Sequence, residues 1–309
     1  MKYISIVTPC YNEEENIQAI YEQIKAVFAD LPEYKYEHIF IDNASTDKTV
    51  ELVKGIIKQD KNVKLLVNMR NFGHIRSPYN GILQANGDAV VVLASDLQDP
   101  PYLIKDFLQK WEEGYKVVVG VKPESQETPL MFAIRKLYYT IISRISNVPL
   151  IKNFTGFGLY DKSVIEILRG LNEPYPYFRG LISELGFEAA QIPYLQPNRV
   201  RGISKNNFYT LYDLAMLGIT NHSKVPLRLA AMAGFLLSGL SFIAMVMFFI
   251  LKLLFWQYIA GGTAPLIISL FFFSSVQLFF IGLLGEYIGT IHTQVMKRPL
   301  VIEKERVNF

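Results

Sequence analysis

One cysteine, Cys10, stands among 309 residues, so no disulfide can form within the chain and a reducing compartment is indicated. The four histidines are scattered and no Cys–His metal spacing occurs, which excludes the usual zinc centres. Neither Gly-x-Gly-x-x-Gly nor a Walker loop is present, so ordinary dinucleotide and P-loop readings lose their support. The formal net charge is only +3 and the basic residues form no long run, which argues against a nucleic acid partner; a membrane surface or a phosphorylated ligand fits better. The N-terminal apolar stretch turns acidic at Glu13-Glu14-Glu15 and is too short for a signal peptide, so it reads as a first strand.

What the chain has in excess is apolar residues, half of the total, concentrated after Pro226. Before that point, short β-branched runs alternate with amphipathic stretches. The strands Ile4–Pro9, His38–Asp42, Val63–Val67, Ala89–Ser95 and Lys116–Val121 show no polar alternation, as expected where both faces are covered. The expected fold is therefore α/β, a doubly wound and mainly parallel sheet, with a further strand at Ala190–Tyr194. Helices follow polar turns at Tyr11–Glu14 and Asn43–Asp47, with Glu14 and Glu15 read as first-turn acids favoured by the helix dipole. Such turns gather backbone N–H groups suited to a diphosphate. Two further segments, 130–147 and 208–220, have helical length and many aromatics; the second, close to the membrane runs, is expected to lie in the interface.

Two apolar runs, Leu229–Leu251 with no charge and Ala264–Thr290 with Glu286 and Tyr287 near its end as its only ionisable groups, are long enough at about 1.5 Å per residue to cross a hydrocarbon core of roughly 30 Å. Lys224 and Arg228 precede the first, and Lys297, Arg298, Lys304 and Arg306 follow the second, so the positive-inside rule places both termini in the cytoplasm. The expected organisation is a catalytic unit at 1–205, a juxtamembrane helix at 206–228, and a two-span region with a short cytoplasmic tail at 229–309.

Five ordered motifs carry a family resemblance: Ser5-Ile-Val-Thr-Pro-Cys-Tyr-Asn-Glu-Glu14, Asp42-Asn-Ala-Ser-Thr-Asp47, Arg70-Asn-Phe-Gly-His74, Asp96-Leu-Gln-Asp-Pro-Pro101 and Gly202-Ile-Ser-Lys205. In this order they resemble the inverting family-2 glycosyltransferases, and most closely the polyprenyl-phosphate branch, dolichyl-phosphate mannose synthases and bacterial bactoprenol glucosyltransferases. Gly282-Leu-Leu-Gly-Glu-Tyr-Ile-Gly289 and Arg298-Pro299 are similar to the bacterial membrane-anchored members. The resemblance implies a GT-A fold that moves a sugar from a nucleotide-sugar, a UDP-sugar such as UDP-glucose, to undecaprenyl or another polyprenyl phosphate at the bacterial inner membrane.

It also implies residue roles. Pro9, Tyr11, Glu13 and Asp42 would meet base and ribose, Arg70 the diphosphate, and Ser95 the nucleotide side of the donor. Asp96 would hold a divalent cation, Mg²⁺ or Mn²⁺, with Gln98 and Asp99 behind it or on the sugar. Arg199, Ser204 and Lys205 match a phosphate-binding loop. The chemistry agrees: an anionic acceptor phosphate must approach a diphosphate leaving group, which calls for a cation and Arg or Lys clamps.

Two departures stand out. Ala94 occupies the place of the usual first Asp of Asp-x-Asp, and Gly156 and Gly158 flank Phe157 where relatives often carry Asp and Arg. The first motivates a rival reading, a catalytically altered nucleotide-sugar-binding scaffold. A second rival, a polysaccharide synthase, lacks its Gln-x-x-Arg-Trp motif here. Asp161 is expected to cap a helix starting near Ser163. Gly234, Gly239, Gly282, Gly285 and Gly289 in the spans favour close helix approach and a homo-oligomer.

Overall fold

The computed structural model describes residues 1–122, 150–197, 216, 220, 223–255 and 262–309. Eight strands form one mixed sheet in the order β7-β5-β6-β4-β1-β2-β3-β8. They are β1 (Lys2–Cys10), β2 (Tyr34–Asp42), β3 (Val63–Asn68), β4 (Ala89–Val92), β5 (Val117–Val121), β6 (Phe154–Asp161), β7 (Ala189–Pro193) and β8 (Glu303–Val307). The helices are α1 (Ile17–Ala29), α2 (Thr49–Gln59), α3 (Gly73–Gln84), α4 (Ile104–Glu112), α5 (Lys162–Leu171), α6 (Phe178–Glu184), α7 (Val225–Leu254) and α8 (Thr263–Val295).

Alternation along the strands divides the core in two. Ile4, Ile6 and Phe40 point to the face covered by α1, α2 and α4, where Ile20, Val53 and Phe107 meet them. Val7, Ile39 and Ile41 point to the other face, covered by α3, α5 and α6. α3 lies close against the sheet because Gly81 has no side chain; a Cβ there would stand 2.9 Å from Ile41 Cγ2. The chain runs from β1 through β2 to β3 on one side and sets β4 on the other side of β1, all parallel. The C-terminal ends of β1 and β4 therefore flank a topological switch point, the place where open α/β sheets hold ligands.

Several elements depart from the sequence expectation. β4 stops at Val92, so Asp96 lies four residues beyond the strand on an irregular loop. β6, which carries Gly156 and Gly158 and is not among the strands expected from the sequence, is a central strand antiparallel to both β4 and β5. Gly158 is needed there, since a Cβ would fall 2.4 Å from the carbonyl oxygen of Val118. Glu14 and Glu15 are not in the first turn of α1, which begins at Ile17; the Glu14 carboxylate instead accepts the Lys48 N–H at 2.9 Å, before α2. Asp161 does cap α5, accepting the Ser163 N–H at 3.0 Å.

α7 and α8 are long and apolar enough to cross a membrane over Val225–Leu251 and Ser269–Val295. α8 is bonded to residues just ahead of α7, where Tyr287 donates to the Ser223 carbonyl at 2.9 Å and Thr290 to Thr220 at 3.1 Å. After α8 the chain does not trail away as a tail. It pairs antiparallel with β3 as β8, Leu65 facing Val307 and Leu66 facing Arg306. The segment is held by Met69 N–H to the Ile302 carbonyl at 2.8 Å, by Lys54 on Glu305 at 2.6 Å and by Asn308 on the carbonyls of Lys61 and Val63 at 2.8 Å each. Four charges in five residues suit an edge strand, where they discourage further pairing. The expected helices at 130–147 and 208–220 lie largely or wholly outside the described residues.

Candidate active site

Four loops meet at the C-terminal edge of the sheet, and backbone N–H groups are their main currency. The turns after β1 and β2 are zipped together: Asn12 N–H donates to Ser45 Oγ at 2.9 Å, Thr46 N–H to Asn12 Oδ1 at 2.8 Å, Glu13 N–H to Thr49 Oγ1 at 2.9 Å and Glu14 N–H to Asp47 Oδ2 at 3.2 Å. Asn12 and Ala44 take positive φ, 53° and 64°, to make the bends. Tyr11, Glu13 and Asp42 thus stand on one rigid wall. Asp42 is fully buried and its carboxylate accepts from the Ser45 N–H and hydroxyl; burial raises its pKa against the pull of those bonds. Burial, with Asp42 close by, also pushes the Cys10 thiol well up, which leaves it an inert packing group.

Asn43 joins this wall to the loop after β3. Its side-chain N–H₂ donates to Asn71 Oδ1 at 2.9 Å and the Gly73 carbonyl at 3.2 Å, while its oxygen accepts from Phe72 N–H at 2.9 Å and Asn68 at 3.2 Å. That brace presents Arg70, which is exposed, lies 4.1 Å from the centre of the Phe72 ring and donates to the Asn71 carbonyl at 3.0 Å.

The loop after β4 is tied to β1 by Leu93 N–H on the Val7 carbonyl at 3.1 Å. Leu97 at φ 59° turns it, and Asp96 Oδ1 accepts the Gln98 N–H at 3.2 Å. Asp96 and Ser95 are buried and Gln98 half-buried. Asp99 closes the loop: one oxygen accepts the Ala94 N–H at 3.2 Å and the other the Tyr194 hydroxyl at 2.9 Å. Its burial raises its pKa, opposed by nearby Lys122 and by those hydrogen bonds. Asp99 is thus a brace between β4 and the end of β7.

Beside this loop, a cavity of about 250 Å³ is lined by Pro9, Ala94 and Asp99, with His74 of α3 and Tyr177 and Arg179 of the α6 region on the far wall. Ala94 lines this space where the resemblance expects a carboxylate. Arg179 also donates to the Phe154 carbonyl at 3.3 Å and lies 5.7 Å from the Tyr177 ring. Arg179 carried no signal in the sequence, and Asn43, although inside the second motif, gave none of its bracing role, because both depend on contacts between distant segments. The structure gathers Pro9, Tyr11, Glu13, Asp42, Arg70, Ser95, Asp96, Gln98 and Asp99 at one sheet edge. Arg199, Ser204 and Lys205 lie outside the described residues.

Among the described residues no three His, Cys, Asp or Glu side chains cluster as a metal cage. A single carboxylate, Asp96, nevertheless fits Mg²⁺ or Mn²⁺ borne by a diphosphate, since hard cations commonly take one or two protein carboxylates and complete their shell with phosphate oxygens and water.

A sequence model of glycosyl transferase family 2 matches residues 5–168. An uncharacterized glycosyltransferase of Bacillus subtilis, YkcC, is 36% identical over 299 residues, 96% of this chain and 92% of its own. A prophage-derived bactoprenol glucosyl transferase of Shigella flexneri is 34% identical over 303 residues, 98% and 97% of the two chains. Among solved structures, glucosyl-3-phosphoglycerate synthase from Mycobacterium tuberculosis in complex with UDP superposes with a TM-score of 0.47 at 19% identity, over 71% of this chain and 78% of that one.

Proposed function

The chain belongs to glycosyl transferase family 2, and from that premise we propose that it transfers a sugar from a nucleoside diphosphate sugar, a UDP-sugar such as UDP-glucose, to a polyprenyl phosphate at the cytoplasmic face of a bacterial inner membrane. The observation that carries this reading is structural: β8 ties the end of the second membrane helix into the sheet whose loops would hold the donor. A lipid acceptor and a soluble donor are thereby served by one folded unit. The near full-length identity to bactoprenol glucosyl transferases supports the same acceptor class.

In this reading the wall of Tyr11, Glu13 and Asp42 takes base and ribose, Arg70 the diphosphate, and Ser95 the donor's nucleotide side. An acceptor phosphate oxygen forms a bond to C1 of the sugar as the C1–O bond to the diphosphate breaks, with inversion, and the electron pair leaves on the nucleoside diphosphate. The acceptor is a phosphate monoester, anionic near neutral pH with a second pKa of about 6, so it needs no strong base. That agrees with Asp99, whose two oxygens are already engaged. A cation held at Asp96, when bound, would offset the charge that develops on the leaving diphosphate. Arg199, Ser204 and Lys205 remain assigned to acceptor phosphate. Open space beside Gly234, Gly239, Gly282, Gly285 and Gly289 leaves room for a second copy in the bilayer.

The test is transfer of radiolabel from a panel of UDP-sugars to undecaprenyl phosphate by the full-length protein in membranes. Label in the organic phase as a single-sugar lipid is expected. A polymer would move the protein to the synthases, and donor binding without any transfer would leave it a scaffold.

A further inference from the structure

Three arginines gather where the second membrane helix ends, and the reading above uses only one of them. Arg70 and Arg76 share the Phe72 ring, their guanidinium carbons 4.1 and 5.7 Å from its centre. Arg76 donates to the Pro299 carbonyl at 2.5 Å, which brings it beside Arg298, three residues beyond Val295, the last residue of α8. Burial, then the positive charges of Arg70 and Arg298, lower the pKa of Arg76. Arg76 Nε is buried without an acceptor, and among the described residues none of the three guanidiniums has a carboxylate partner. Arg298 is exposed. Like charges held together by backbone and ring contacts are unfavourable unless an anion joins them. Guanidinium forks match phosphate oxygens in pairs, and the shared ring pre-orients two of the three. The position, just past the end of a membrane helix, is the level at which lipid head groups lie.

We propose that Arg70, Arg76 and Arg298 form a seat for the phosphate head group of a bilayer lipid. The proposal rests on the membrane-anchored transferase reading for the identity of that lipid, and a doubly charged polyprenyl phosphate suits three cations better than a phosphodiester. Arg70, reached by both the donor loop and this seat, would then sit between the acceptor and donor phosphates.

The measurement is lipid binding, without turnover, by the full-length protein in phosphatidylcholine nanodiscs doped with undecaprenyl phosphate or with phosphatidylglycerol, read by native mass spectrometry. Arg298→Gln is the cleanest variant, because Arg298 is exposed and makes no side-chain bond among the described residues. Arg76→Gln is paired with Arg76→Lys, which keeps the charge. Each Gln variant should weaken undecaprenyl phosphate binding about tenfold, the scale of one charge-assisted contact, with partial recovery in the Lys variant. Loss of phosphatidylglycerol binding instead would keep the seat and make its occupant an anchoring phospholipid. Unchanged binding of both lipids, or a loss confined to UDP-sugar affinity, overturns the proposal. Because no transfer is measured, these outcomes are separate from a failure of the assay that tests the activity itself.

Discussion

Replacing Asn43 by Ala should loosen the donor side of the site without touching any ligand. Its side chain makes four hydrogen bonds, two donated and two accepted, which connect the turn after β2 to Asn68, Asn71, Phe72 and Gly73. Each bond is worth about 1 kcal/mol net, and water can reach part of this half-buried region, so a loss of roughly 2–4 kcal/mol is expected. At this chain length that corresponds to a fall of roughly 3–6 °C in melting temperature. The functional consequence is specific: Arg70 loses the loop that presents it, so KM for the UDP-sugar should rise several-fold while kcat with saturating donor changes little. Asn43→Asp should fare no better, because a carboxylate oxygen would then face Asn71 Oδ1 and the Gly73 carbonyl, both acceptors. Melting in detergent and donor titration at saturating acceptor check both effects. A variant that melts with the wild type, or that loses kcat at unchanged donor KM, would refute the bracing role.

Asp96→Asn should abolish metal-dependent transfer while leaving the melting temperature close to wild type, since an amide keeps the shape but not the charge that a hard cation requires; activity near wild type would remove Asp96 from that role. Deleting residues 303–309 should lower the melting temperature and destabilise the Arg70 loop together, because Met69 N–H and β3 lose their partners; hydrogen exchange at residues 63–72 should rise, and unaltered exchange there would count against β8. Buried His38, held neutral with its pKa pushed down to about 3 by burial, takes up a proton only on unfolding. Its contribution is therefore fully present above the ordinary value near 6.5 and is lost as pH falls towards 3, on the order of 1 kcal/mol per pH unit. His38→Gln, which can still bond Thr8, should flatten the fall of melting temperature between pH 6.5 and 4.5; an identical slope in both proteins would show that other groups set it.

The strands β1 to β5 were legible because both their faces are covered, which leaves continuous runs of Val, Ile and Leu. Buried polar groups hide inside those runs: Glu37, fully buried, is satisfied by Lys64 at 2.6 Å, Ser5 and the Asn86 N–H, and its pKa stays low because these partners outweigh burial. β8 was illegible for the opposite reason. Glu303-Lys-Glu-Arg-Val307 has one apolar residue, and its stability comes from backbone pairing with a strand more than two hundred residues earlier. The site was legible where a residue sits in a local turn, as Asp42 and Asp96 do. It was not where the geometry of the candidate site depends on a bridge across the sheet edge: Asn43 to the β3 loop, Asp99 to Tyr194, Arg179 to the cavity. Asp99 shows the limit well, for its place in the motif left it either behind Asp96 or on the sugar, whereas its two oxygens are spent on Ala94 and Tyr194.

In the transfer proposed above, the position of β8 bears on how a soluble donor and a membrane acceptor would meet. β7 and β8 are the two outermost strands of the sheet, at opposite edges. After α8 the chain returns to the sheet as β8, so this end of the helical hairpin is joined to the sheet by strand pairing. A domain on a flexible tether could turn its loops away from the bilayer; one paired with the strand that follows α8 has that freedom restrained. On the β8 side the restraint reaches the site directly, since Met69, bonded to Ile302, immediately precedes Arg70, and Arg76 of α3 is bonded to Pro299. A displacement of the end of α8 is thus transmitted to the loop that presents Arg70 by two hydrogen bonds and a strand pairing, without passing through the core.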